Sequence, residues 1–169
     1  MRNRDIILEL LQDAEDFAKL KNIECPPIYF LGGSGCIMGE YFDRATTDIN
    51  FLDINYSSSV GKIFRLFEKF DMLDLYVTPI ADGFEKRAIK LSEFEFLDFF
   101  VLSKEDIIVS KLGRYSDKDI EDISKLIVDI DKKILIQLID NVIYKKHFSE
   151  RVKEYFIIHV KDLKERFNV

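Results

Sequence analysis

Residues 3–22 place Ile6, Ile7, Leu10, Leu11, Ala14, Phe17 and Ala18 three and four apart, the spacing of an amphipathic helix. Pro26-Pro27 excludes helix there and sets up extended chain at Ile28. IYFLG (28–32) then reads as a short buried strand, CIMGEYF after the glycines as a short helix, and DINFLDI (48–54) as a second strand. SSSVGKIFRLFEKF (57–70) reads as a helix opened by serines, with Val60, Ile63, Phe64 and Phe67 on one face. MLDLYVT alternates and stops at Pro79, which predicts a third strand. FEKRAIKL and FEFLDFFVL, joined at Ser92-Glu93, read as an antiparallel pair.

From Ser103 onward the period becomes helical, with helices expected at about 104–113, 117–130, 132–146 and 150–166. Ser103 with Asp106, and Ser116 with Asp119, have the spacing of capping boxes. There are no internal repeats and no low-complexity tracts. The expected fold is α/β: a mixed sheet flanked by helices over 1–102, followed by a helical C-terminal portion, 103–169, packed on that core.

Composition narrows the classes. A chain of 169 residues is long enough for a full core, and 47% hydrophobic residues, fifteen of them phenylalanine and none tryptophan, supply it. A net charge of −6 argues against a protein devoted to the DNA backbone, which would carry a basic face. The start, MRNRDIILELLQDAEDF, carries acids in its first apolar turns and does not read as a secretory signal; no apolar run nears the ~20 residues of a membrane span. Cys25 and Cys36 lack metal-ligand spacing and read as reduced thiols, so a cytoplasmic location is expected.

The informative stretch is 28-IYFLGGSGCIMGEYFDRATTDINFLDI-54. A strand, a Gly-Gly-Ser turn and a short helix form a natural anion cradle, because glycine lets phosphate approach the backbone and the first helical amides point at it. A tight strand–helix turn without ligand has the same pattern. Alternation along a strand sends Asp48 and Asn50 to one side and Ile49 and Phe51 to the other. An oxygen pair so placed suits Mg²⁺, and Asp74, polar between Leu73 and Leu75, is a candidate third ligand.

The runs GGSG, RATTDIN and LDLYV together resemble the nucleotidyltransferase superfamily, whose pattern is Gly-Gly/Ser, then Asp-x-Asp, then a third carboxylate on a neighbouring strand. The run 111-KLGRYSDKDIEDI-123 resembles bacterial members related to the abortive-infection toxins of toxin–antitoxin pairs. The resemblance implies transfer of a nucleoside monophosphate from a nucleoside triphosphate to an RNA, protein or small-molecule hydroxyl, with Mg²⁺ or Mn²⁺. It implies that Gly32, Gly33 and Ser34, with Arg44 and Thr46, hold the nucleotide; that Asp48, Asn50 and Asp74 hold metal; and that Asp48, Lys111 and Asp119 serve catalysis. Asn50 departs from the usual aspartate and removes a charge, which leaves an active enzyme and a silent nucleotide- or partner-binding module both open. A toxin–antitoxin or defence setting is the implied context.

Other polar positions have plain readings. Asp119 is explained as a capping-box acid, and Asp98 as an edge position among phenylalanines. His147 and His159 sit twelve apart without ligand company. The last helix carries Val152, Tyr155, Phe156, His159, Val160, Leu163 and Phe167 as a core stripe, with a homodimer or toxin–antitoxin interface as its other use.

Overall fold

The computed structural model describes residues 2–169 as a mixed α/β chain that divides into two compact units. Residues up to Leu73, with Ala88–Leu102, form the first; Asp74–Arg87 and Ser103–Val169 form the second. No helix among the described residues is long and apolar enough to cross a membrane.

The first unit opens with α1 (Arg4–Lys21), capped by the Asn3 side chain and ended by Asn22 in the left-handed conformation. Its Ile7, Leu11, Ala14 and Ala18 are fully buried, as the spacing predicts. β1 (Ile28–Phe30) leads through Leu31 directly into α2 (Gly32–Met38). The helix therefore includes the glycines instead of following them. Gly32 takes φ +63°, which lets the chain turn from strand to helix with no intervening loop.

β2 (Ile49–Asp53) buries Ile49 and Phe51 as expected, and Leu52 as well. The serine-led stretch is less helical than its pattern suggests: α3 spans only Gly61–Phe64, then a tighter 3₁₀ turn covers Arg65–Phe67. Val60, Ile63, Phe64 and Phe67 are all buried, so the face is right and the length is not. Burial of the phenylalanines dictates the tighter winding: Phe51 sits 4.6 Å from Phe64 and 5.7 Å from Phe67, centre to centre.

β3 runs Phe70–Asp74, two residues earlier than the alternation of MLDLYVT implies. Asp74 ends it: its Oδ1 accepts from the Tyr76 N–H at 2.7 Å, and its carbonyl from Val77 and Thr78, so a side-chain turn replaces the ladder. The FEKRAIKL strand is also corrected. Gly83 at φ +78° opens a helical turn, α4 (Phe84–Arg87), and only Ile89–Lys90 remain as β4. Its partner β5 is Phe99–Val101, antiparallel to it as expected. Residues 95–97 stay out of the sheet because the buried Glu15 carboxylate takes the N–H groups of Glu95, Phe96 and Leu97 at 3.0–3.1 Å.

The sheet order is β3-β2-β1-β5-β4. β1 lies parallel to β5, with Phe30 opposite Val101, and antiparallel to β2, with Phe30 opposite Phe51. A glycine-turned strand thus sits at the centre of the sheet, beside the strand that carries Asn50.

The helices of the second unit follow the predicted order: α5 (Lys104–Lys111), α6 (Asp117–Leu126) with a 3₁₀ turn to Asp129, α7 (Lys132–Ile143) and α8 (Glu150–Phe167). Ser116 and Asp119 complete a reciprocal capping box. Ser103 caps α5 through the Asp106 N–H, and the Asp106 carboxylate accepts the Ser103 hydroxyl at 2.7 Å and two bonds of 2.9 Å from Arg87 in place of the Ser103 N–H. α5 packs against α6 and α7, and α7 against α8, burying Ile107, Ile108, Ile123, Ile139, Phe156 and Leu163.

Candidate active site

The glycine turn and β2 are fastened by one buried hydroxyl. Ser34 is fully buried; its Oγ accepts the Asn50 N–H at 2.8 Å, while the Leu31 N–H donates to the Asn50 carbonyl at 3.1 Å. The Ser34 hydroxyl is thus spent on holding α2 to β2. What it leaves toward a ligand is its backbone amide, one of the first-turn amides that lack an intrahelical acceptor.

Around that turn gather three of the residues singled out from sequence. A Cβ built on Gly32 would fall 2.9 Å from Asn50 Oδ1, so the Asn50 carboxamide lies over Gly32. A Cβ on Gly33 would fall 3.1 Å from Thr46 Oγ1 and 3.4 Å from Arg44 Cζ. The two glycines therefore mark a place where three polar side chains crowd against bare backbone. Any larger residue at either position would fill that space.

The run 44–48 is pinned from outside. Arg2 and Thr46 exchange backbone bonds of 2.6 and 2.9 Å, and the Arg2 guanidinium donates to the Phe67 carbonyl at 2.8 Å. Arg2 carries no motif, and only the bridge it forms reveals its part in fixing the approach to β2.

Asp48 and Asn50 are half-buried. Neither side chain has a hydrogen-bond or ion-pair partner among the described residues, although each residue's backbone is bonded. Asp74 is exposed, with one oxygen held in its own turn. Among the described residues no group of three His, Cys, Asp or Glu side chains stands together as a metal cage.

Lys111 and Asp119 lie together in the second unit. Both are buried, and the Lys111 amine bonds Asp119 at 3.1 Å and Asp122 at 2.8 Å. Asp119 also accepts two bonds from Arg114, at 2.8 and 3.0 Å, and two from Ser116. Burial would raise its pKa, but Arg114, Lys111 and Ser116 outweigh this and hold the carboxyl well below the usual carboxylate range. Two cations and two anions close on one another, joining the end of α5 to the start of α6. Asp122, one helical turn beyond Asp119, completes the set.

The histidines remain apart from the glycine turn's residues in role. His159 Nδ1 lies 2.6 Å from the Leu112 carbonyl, so that nitrogen carries the proton, and its ring stacks on Tyr115. His147 borders an open pocket of about 600 Å³ with Asp82, Asp140 and Lys145. The lysine there is already engaged, donating to the Ile80 carbonyl at 2.8 Å and pairing with Asp82.

Residues 5–168 match the family model described as "Nucleotidyltransferase of unknown function (DUF6036)". No curated protein and no solved structure matches the chain.

Proposed function

The chain belongs to this nucleotidyltransferase family, and from that premise we propose that it transfers a nucleoside monophosphate from a nucleoside triphosphate to a hydroxyl acceptor, using the glycine turn and β2. The observation that carries the reading is the pair Asp48 and Asn50. The half-buried Asn50 carboxamide lies over Gly32, and Asp48, also half-buried, comes two residues before it; neither side chain has a hydrogen-bond or ion-pair partner among the described residues.

These donors suit the implied metal. Mg²⁺ and Mn²⁺ take carboxylate and amide oxygens together with water and phosphate oxygens. Asp48 and Asn50 would hold the ion, with Asp74 as the third candidate. Bound there, it supplies charge neutralisation on the phosphates. Gly32 and Gly33 let the triphosphate reach backbone amides. Arg44 presents a guanidinium fork suited to phosphate, and Thr46 fixes the run that carries Asp48. In this reading Lys111 and Asp119 act as a structural clasp, since their charges are already matched. An RNA, protein or small-molecule acceptor, and a toxin–antitoxin or defence setting, are proposed from the sequence resemblance alone.

A second reading rests on Asn50, which adds no formal charge to the metal set. It makes the protein a nucleotide- or partner-binding module without transfer.

Calorimetric titration of the four nucleoside triphosphates, with and without Mg²⁺, tests the site on the parent and on Asp48→Ala. Nucleotide binding by the parent should depend on Mg²⁺ and vanish in Asp48→Ala. Equal binding by Asp48→Ala overturns the site. Incubation with labelled nucleotide and mixed RNA and protein acceptors then separates the readings: transferred label supports the enzyme, and binding without transfer supports the module.

A further inference from the structure

We propose that the outer face of α8 is the interface of a homodimer in which two copies pack these helices antiparallel about Ile158. This goes beyond nucleotide chemistry and does not depend on it. The inner side of α8 is settled by Phe156, Val160 and Leu163, all buried. At 100° per residue the opposite side centres on Ile158, with Arg151, Glu154, Tyr155, Lys161, Asp162 and Glu165 within about 60° of it. Ile158 is 62% exposed and Tyr155 52%.

The charges on this face are the second observation. The side chains of Arg151, Glu154, Lys161 and Glu165 have no hydrogen-bond or ion-pair partner among the described residues. Charges beside them do pair along the helix: Lys153 with Glu150, and Arg166 with Asp162. The four unpaired groups are acid and base in equal number: Arg151 and Glu165 lie seven residues either side of Ile158, Glu154 four before it and Lys161 three after it.

Symmetry selects the occupant. A two-fold axis through Ile158 reverses height along the helix while keeping each flank beside the same flank of its mate. Glu154 then meets the partner's Lys161 on one flank, and Arg151 meets the partner's Glu165 close to the mid-line, each within about 20° of it. Each contact occurs twice, as an isologous interface requires. A parallel pairing in register would set Glu154 against the partner's Glu154 and gain nothing. Ile158 packs on its own copy at the centre, with Tyr155 beside it. The apolar centre is small, so the dimer should be weak and concentration-dependent, and the charge pairs should set its orientation and salt sensitivity.

Sedimentation equilibrium of the full chain over a concentration series is the test. The mass should approach twice the 19.9 kDa of one chain at high concentration and fall back when salt is raised. Glu154→Lys or Lys161→Glu alone should weaken association roughly tenfold, since each turns two attractive contacts repulsive. The double reversal should restore it, and so should mixing the two single variants. These positions are exposed, so circular dichroism should show both variants folded. In a Cys25→Ser background, Ile158→Cys should give a disulfide-linked pair on mild oxidation and Arg151→Cys should not. A monomer at every concentration overturns the proposal and leaves the face to a different protein. A dimer unaffected by the single reversals, or not restored by the double one, also overturns it.

Discussion

The carboxamide of Asn50 lies against Gly32, close enough that a Cβ on Gly32 would stand 2.9 Å from Oδ1. Gly32 also holds φ +63°, a conformation that costs a residue with a side chain about 1–2 kcal/mol. Gly33 has no such backbone demand; its Cβ would press on Thr46 and Arg44 instead. The neighbours therefore respond differently to alanine. Gly32→Ala should lower stability by about 1–2 kcal/mol in urea titrations and displace Asn50. Gly33→Ala should change stability by less than about 1 kcal/mol yet weaken nucleotide binding about tenfold. Equal nucleotide affinity in Gly33→Ala and the parent would detach the turn from the nucleotide.

Asn50→Asp adds a charge beside Asp48, where neither side chain has a partner among the described residues. It should tighten Mg²⁺ binding in the absence of nucleotide, because the carboxylate pair attracts the ion before triphosphate oxygens are present. The parent should bind the metal appreciably only with nucleotide. Calorimetry with Mg²⁺ alone on the two proteins checks this; identical weak isotherms would mean that position 50 does not face the metal.

Glu15 should govern part of the acid limb of stability. Burial raises its pKa, but the N–H groups of Leu97, Glu95 and Phe96, with Lys19, outweigh that and hold it below its ordinary 4.5. A folded-state pKa below the unfolded one gives stability that is complete above about pH 4.5 and drains away as pH falls through the lowered value. Glu15→Gln should cost about 1–3 kcal/mol at pH 7, by leaving buried amides poorly paired. Urea titrations at pH 7 and pH 3 should show the gap between parent and variant narrowing in acid.

Lys111→Met removes the buried cation that pairs with both Asp119 and Asp122. Stability should fall by about 3–5 kcal/mol, the usual consequence of breaking a buried ion pair by removing one partner. Lys111→Met with Asp122→Asn should recover part of the loss. Nucleotide affinity of the folded variant should match the parent. A Lys111→Met protein of normal stability that fails to bind nucleotide would put Lys111 in the site instead.

The sequence by itself determined α1, the four C-terminal helices and the serine caps of α5 and α6, because these depend on spacing and on side-chain bonds within one turn. It also determined that Ile49 and Phe51 face inward, and that Arg44, Thr46 and Asn50 belong with the glycine pair, since one tight turn and one strand bring them together. Tertiary structure decided the strand ends. Glu15 withdraws residues 95–97 from the sheet across some eighty positions of chain, and Arg87 leaves the ladder to bond Asp106. It also decided what the polar groups do. Ser34 and Lys111 read from sequence as hands extended to phosphate, yet both are buried with partners of their own. A residue type announces the bonds it can make. Which bond it makes depends on distant groups that burial leaves no other way to satisfy.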